Sequence, residues 1–373
     1  MPESLFYQII LRAGPAEYDL SSDISSLTWD QNDELPDRLT LQVPDPYKVL
    51  SHALREGTHV EFAFGTDVRH PIVFRGRIYA VTARIAPSGL QTLTVRAEDR
   101  AAELGLKRFP GRTFKNEPLS AVVTKILESY EFSKKTVSVG PDPKLDIVVQ
   151  HDESDLEFLQ ELARTYGCTM FVSQGVGGEE INFVGLASLV ALPPSFVFAH
   201  GRLGVDNTLT EFQGQVDARR AQNRVIIKGK DTDSEPIDPK APPEPVDPFF
   251  EENIAAIQDQ AKVQRLKTLI QNASVAAGEV TMLKNGTGGA QDQILYRSGM
   301  NADELKMLRE NWISVNALGM TGDGTCAGLP DLRARAMIEL NDVGGRFSGR
   351  WYVSEVVHTL GGEGFDTRFH CKR

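Results

Sequence analysis

Cysteine is scarce in this sequence: three residues in 373, at Cys168, Cys326 and Cys371. An odd, scattered set builds neither a disulfide framework nor a CxxC metal pair, so the chain must rely on apolar cores, and a reducing cytoplasm is the expected setting. Long apolar runs are lacking too. The most apolar later stretch, 185–199, is short and broken by Pro193-Pro194, which rules it out as a bilayer-spanning helix. Met1-Pro2-Glu3-Ser4-Leu5 has no basic region leading into an apolar segment, so a secretory signal is not expected. Positive charge is in deficit, with 40 Lys and Arg against 51 Asp and Glu and a net charge of −11. A grip on nucleic-acid backbones or on anionic membranes needs clustered positive charge. The expectation is therefore no specific nucleic-acid binding and no membrane insertion.

Catalytic signatures are equally sparse. No GxSxG, HExxH or Cys/His dyad occurs. Gly322-Asp323-Gly324 begins like a dinucleotide fingerprint, but Ala327 stands at the third glycine and no strong strand leads in, so it reads as a turn. Gly229-Lys230 lacks the frame of a phosphate-cradling loop. His358, His370 and Cys371 could meet across the last hairpin, yet strand alternation sends His370 and Cys371 to opposite faces. Asp152, Glu153 and Asp155 could supply a glycosidase carboxylate pair, which is the basis of one alternative, a cell-wall-degrading, carbohydrate-active enzyme. Helix capping accounts for the same acids without catalysis. No catalytic residue, cofactor or metal is expected.

What the chain does contain is mostly β signal. Residues 1 to about 105 are β-rich: Val60, Phe62 and Phe64 alternate with Glu61 and Ala63, and Leu93, Val95 and Ala97 share one face of a hairpin arm that follows a turn at Ala86-Pro87-Ser88-Gly89. Between 111 and 185 the pattern changes. A helix is predicted over 118–130, a strand over 145–149, and a second helix from Ser154. There Ser154 and Glu157 form a capping box, Leu156, Leu159, Leu162, Ala163 and Tyr166 an apolar stripe, and Gly167 a C-terminal stop. β signals return over 195–230 and again from 325 to the end. Six prolines lie between 231 and 248, a composition for a linker or surface excursion. Helices are predicted over 251–272 and 303–317, with a mobile loop at Gly286–Gly289 between them.

One segment is repeated. Phe74-Arg75-Gly76-Arg77-Ile78-Tyr79 and Phe347-Ser348-Gly349-Arg350-Trp351-Tyr352 both read F-x-G-R-apolar-Y; each follows a short alternating strand and opens a hairpin. Glycine within a strand marks the bulge or bend that small barrels need, which assigns Gly76 and Gly349 to corners. The fold class expected is α+β, mainly β, with two similar β-barrels (1–110, and 190–230 with 321–373), an α/β middle unit (111–189) and a Pro-rich, partly helical insertion (231–320).

The stretch Gln150-His151-Asp152-Glu153-Ser154-Asp155-Leu156-Glu157-Phe158-Leu159-Gln160-Glu161-Leu162-Ala163 through Gly167 resembles the Q-x-x-E-S-D-x-x-F-L-x-x-L-A-x-x-x-G segment of tail hub proteins, the phage late control gene D family and the hub part of VgrG proteins. Phe347 to Val353, Val357-His358 and Gly364-Phe365-Asp366-Thr367 are similar to that family's closing run, and the helix predicted over 303–317 fits as well. On this resemblance Gly76, Ser154, Glu157, Leu159, Gly167, Gly349, Tyr352 and His358 are structural motif positions. The resemblance implies a baseplate hub of a phage tail or contractile injection system: a homotrimer whose six barrels make a pseudo-sixfold ring. That ring would join a hexameric inner tube protein to a trimeric spike and touch other baseplate subunits, in a virion or injection particle assembled in the bacterial cytoplasm. Because the sequence stops at Arg373, just after the last hub strand, the spike is expected to be a separate polypeptide.

Overall fold

The computed structural model describes residues 6–65, 72–175, 177–200, 208–216, 225–228, 249–285, 293–296, 299–308, 319–362 and 364–373. The Pro-rich stretch 231–248, the glycine-rich 286–289 and the second half of the helix predicted over 303–317 lie outside them.

The N-terminal portion contains β1 (Phe6–Ala13), β2 (Ala16–Asp19), β3 (Ser26–Asn32), β4 (Arg38–Pro44), β5 (His59–Gly65), β6 (Ile72–Ile85) and β7 (Gln91–Asp99). These strands hydrogen-bond in the order β2-β1-β5-β6-β7-β4-β3 and curl around one core. Ile9, Leu39, Leu41, Val43, Phe74, Leu93 and Val95 are wholly buried there, on the inward faces that alternation dictates.

The middle portion holds β8 (Arg108–Phe109), β9 (Arg112–Pro118), α1 (Leu119–Leu127), β10 (Lys134–Ser138), β11 (Lys144–Gln150), β12 (Glu153–Ser154), α2 (Asp155–Tyr166), β13 (Cys168–Gly175), β14 (Gly178–Gly185) and α3 (Leu186–Val190). The two longer helices pack on the sheet β10-β14-β13, burying Val122, Val123, Ile126, Leu159, Ile181 and Phe183. Residues 302–308 are helical and place Leu305, Met307 and Leu308 in this same core. This part of the expected insertion is therefore built into the middle unit.

The rest of the chain comprises β15 (Phe196–His200), β16 (Thr208–Val216), β17 (Val225–Lys228), α4 (Phe250–Ala255), α5 (Gln260–Asn285), β18 (Gln293–Tyr296), β19 (Met320–Ala327), β20 (Met337–Asn341), β21 (Gly349–Gly361) and β22 (Gly364–Lys372). The single helix predicted over 251–272 is two. Asp259 accepts from the Lys262 backbone N–H and so starts a new helix after a break. Strands β21-β20-β15-β16-β19-β22 close on themselves through the β21–β22 ladder, giving a six-stranded barrel around Phe198, Leu332, Ile338, Leu340, Trp351, Val353 and Val356.

Chain order and spatial order repeat. β3, β4, β5, β6 and β7 correspond one by one to β16, β19, β20, β21 and β22, and each hairpin carries a register shift, at Ile78/Ala80 in the first and Val353/Glu355 in the second. β1 takes the place of β15, although β1 runs antiparallel to β5 and β15 parallel to β20. The shift falls three residues beyond Gly76 and five beyond Gly349, so the F-x-G-R segments lie on equivalent strands two residues out of step. The two glycines also meet different needs. A Cβ on Gly76 would lie 2.3 Å from the Glu98 carbonyl oxygen of the adjacent strand, whereas Gly349 adopts φ +114°, a region that favours glycine.

Candidate functional site

The two barrels meet along one ladder, and a set of buried polar and charged side chains lies beside it. β21 begins in the second barrel, pairing with β20 through Gly349–Tyr352; past its bulge it pairs with β3 of the first barrel, Glu355 opposite Asn32 through Leu360 opposite Leu27. A single long strand thus fuses both units into one 13-stranded sheet.

His358 is the centre of this seam. Opposite Trp29 in register, it is fully buried among the rings of Trp29, Phe64 and Phe365, with centroids 5.5 to 5.8 Å away. Its two ring nitrogens face Thr367 Oγ1 and the Leu332 carbonyl, both at 3.1 Å. Burial, helped by the charge of Arg333, pushes its pKa down to about 3. The ring is therefore a neutral packing element at ordinary pH. Phe365 and Leu360, near the tip of the same hairpin, pack on the first-barrel core.

Charged groups flank the rings. Arg335, at φ +73°, donates to the Asn32 carbonyl at 2.7 Å, pairs with the buried Asp37 at 3.5 Å, and covers the ring of Phe171 at 4.4 Å. One side chain thus touches the first barrel and the middle unit from the second barrel. Tyr352 donates to Asp33 Oδ1 at 2.8 Å; burial lifts Asp33 to about 6, against the pull of Arg335 and the Tyr352 hydrogen bond. Asp37 and Asp99 are both buried, and the Asp37 backbone N–H donates to Asp99 Oδ2 at 3.2 Å. Desolvation raises both carboxyls, and for Asp99 the neighbouring Asp37 charge adds to it. Arg333 lies over the Trp29 ring at 4.8 Å, its pKa lowered to about 10 by burial.

The capped helix forms a second cluster. Ser154 Oγ accepts from the Glu157 N–H at 3.2 Å, and Glu157 Oε2 accepts from the Ser154 N–H at 2.8 Å, a reciprocal capping box. Leu159 is fully buried, and Gly167 takes φ +63° as its N–H bonds the Ala163 carbonyl. Phe158 is also buried while Leu156 is only partly so, which turns the apolar face slightly from the predicted stripe.

The acids weighed for catalysis do not converge on an open cleft. Asp155 is fully buried, ion-paired with Arg112 and hydrogen-bonded by Tyr130 Oη at 2.8 Å and Gln150 Nε2 at 3.0 Å. Asp152 is exposed at φ +51°, its carbonyl accepting from Arg108 at 2.6 Å. His370 bonds Asp323 at 2.8 Å while Cys371 is fully buried. Among the described residues no group of three or more His, Cys, Asp or Glu could hold a metal.

Of the motif positions, the fold brings Tyr352 and His358 to the barrel seam and keeps Ser154, Glu157, Leu159 and Gly167 together on α2. Gly76 stands apart on β6, next to Arg75, whose carbonyl accepts from Gln174 Nε2 of the middle unit at 2.9 Å. The sequence reading missed Trp29, Asp33, Asp37, Asp99, Arg333 and Arg335. The signal available was the run Asp33-Glu34-Leu35-Pro36-Asp37 together with paired arginines directly before a strongly apolar strand.

The tail protein of Neisseria meningitidis MC58 superposes with a TM-score of 0.63 at 12% identity, over 98% of this chain and 96% of that one. The 43 kDa tail protein of prophage MuSo2 from Shewanella oneidensis gives 0.64 at 12% identity, over 99% and 98%. The E. coli c3393 protein, a component of the type VI secretion system, gives 0.59 at 12% identity, over 99% and 76%. At these identities the likeness is one of fold. No curated protein matches the chain. A model of the phage tail baseplate hub (GPD) family matches residues 53–364, which takes in β5 through β21 and with them the capped helix, and the chain belongs to that family.

Proposed function

We propose that three copies of this baseplate hub protein form a ring of six barrels that joins a hexameric inner tube to a trimeric spike. The observation that carries the reading is the strand order found twice in one chain. A tube with sixfold symmetry presents six equivalent contacts and a spike with threefold symmetry presents three; three duplicated subunits satisfy both. In this reading residues 1–110 and 190–230 with 321–373 supply the ring barrels, 111–189 with the helical residues 302–308 the middle unit, and the rest of 231–320 an insertion toward other baseplate subunits. Ser154, Glu157, Leu159 and Gly167 hold the middle unit rigid, and Gly76, Gly349, Tyr352 and His358 shape the barrels and their seam. The role is structural, in a phage tail or contractile injection particle assembled in the bacterial cytoplasm.

The test is the mass of the purified full chain in solution, followed by electron microscopy of end-on views. The expected particle has three times the 41.1 kDa chain mass and six density lobes around a hole. A monomer at all concentrations, or a ring without six lobes, would refute the proposal.

A further inference from the structure

The seam within the chain has an unpaired counterpart at each end of the sheet. β21 reaches the first barrel because it is longer than its partner β20, leaving residues 355–360 free to pair with β3. β6 is overlong in the same way: β5 covers Ile72–Arg77, and residues 80–85 pair on one side only, with β7. β16, the counterpart of β3, pairs with β19 along its length, but with β15 only at Thr208 and Leu209. Among the described residues, then, 80–85 of β6 and 210–216 of β16 each keep one edge without a strand, and these are the two edges that the internal duplication equates with the β21–β3 seam.

We infer that β6 of one copy adds antiparallel to β16 of the next, repeating between chains the ladder that β21 and β3 make within one. The inference rests on the trimeric reading above and names its contact surface. Three observations support it.

The register can be carried over through the bulges and the intervening ladders. Glu355 corresponds to Ala80 as the first residue past the bulge. Trp29 pairs with Leu39, which pairs with Ala97; Gly214 pairs with Gly322, which pairs with Cys371; Ala97 and Cys371 both stand directly before the bulge. Trp29 and Gly214 are thus equivalent. The pair His358–Trp29 becomes Ala83 opposite Gly214, and Leu360–Leu27 becomes Ile85 opposite Phe212.

The faces agree with this register. Val356, His358 and Leu360 turn inward at the existing seam. Their counterparts Val81, Ala83 and Ile85 are the apolar alternation of β6, with Thr82 and Arg84 on the other face; Phe212, Gly214 and Val216 are the less exposed alternation of β16. Ile85 is 59% exposed in the single chain, whereas its counterpart Leu360 packs on the other barrel's core.

Size also agrees. A Cβ on Gly214 would lie 2.5 Å from the Phe347 ring, so no side chain fits at the position corresponding to Trp29; the facing Ala83 is likewise small where its counterpart is His358. The contact is head to tail, first barrel to second, and such a contact either closes into a ring or propagates.

The experiment uses the full chain carrying Thr82→Cys and Gln215→Cys, which stand opposite each other in this register and are exposed in the single chain, while the native cysteines are buried. Oxidation is expected to give covalent dimers and trimers on non-reducing gels and nothing larger; the displaced pair Thr82→Cys with Glu211→Cys should cross-link only at background. Ala83→Lys, on an exposed residue, should leave circular dichroism and thermal midpoint near the parent and convert the trimer to monomer. A trimer that survives Ala83→Lys, or that forms without the Thr82–Gln215 cross-link, overturns the strand pairing and leaves the trimeric reading standing. A ladder continuing beyond three chains overturns ring closure, and a protein monomeric at every concentration overturns both.

Discussion

The Tyr352 hydroxyl bonds Asp33 across 319 positions of sequence, at 2.8 Å. It is one of the contacts that hold the second barrel to the first, with Tyr352 buried and Asp33 half-buried. Tyr352→Phe leaves the carboxyl with one donor fewer. The expected cost is about 1–3 kcal/mol in urea denaturation, with little change in the far-ultraviolet spectrum.

Asp33 makes stability depend on pH in a definite direction. Its folded pKa of about 6 lies above the ordinary 3.8, so between these values the folded state binds more protons than the unfolded chain. Stability from this group therefore falls as pH rises from 4 to 6, by about 3 kcal/mol. Asp33→Asn keeps the acceptor for Tyr352 and removes the titration. Denaturation midpoints between pH 4 and 6 should shift toward a more positive slope against pH in this variant.

His358 works in the opposite sense. With a folded pKa near 3 against 6.5, the unfolded chain binds more protons between these values, so stability falls as pH drops below 6.5, by roughly 5 kcal/mol at the lower end. His358→Gln should flatten this acid loss whatever it costs in packing. If the variant retains the parent's acid slope, the loss comes from another group.

The α2 cap can be tested by graded substitutions. Ser154→Ala removes one half of the capping box and should cost about 1 kcal/mol. Gly167→Ala forces a Cβ into the left-handed region, for about 1–2 kcal/mol. Leu159→Asp puts a charge at a fully buried position and should abolish soluble, folded protein. Thermal denaturation and yield read all three.

Gly76→Ala and Gly349→Ala separate two kinds of glycine. At Gly76 the added methyl meets a neighbouring strand's carbonyl, so β7 must move, and a loss of about 1–3 kcal/mol with altered amide shifts near Glu98 is expected. At Gly349 the strain lies in the backbone itself, and the spectral changes should stay around residue 349.

Local signals were legible where chemistry is local. The Ser154–Glu157 box, the Gly167 stop and the alternation of Leu93, Val95 and Ala97 are read within a few residues, and the structure places each as written. The F-x-G-R repeat pointed to equivalent strands, but its exact spacing misled by two residues, because the bulge and not the glycine fixes the register. The seam was invisible. Nothing near Trp29 announces His358, and the burial of Asp37 and Arg335, like the Asp33–Tyr352 bond, arises only when segments some 300 residues apart are brought together. A propensity reading also merged α4 with α5, since Asp259 is a tolerable helix residue until its side chain bonds Lys262.

The β3–β21 ladder also dictates a timetable. Ser26–Asn32 leaves the ribosome early and pairs at once with β4, but its second neighbour, β21, is complete only after residue 361 has been made. Throughout that interval the nascent first barrel carries an uncovered strand margin, open to mispairing with other nascent chains. Closing this ladder spans more than 300 residues of chain, the kind of non-local pairing whose loop-closure entropy slows folding.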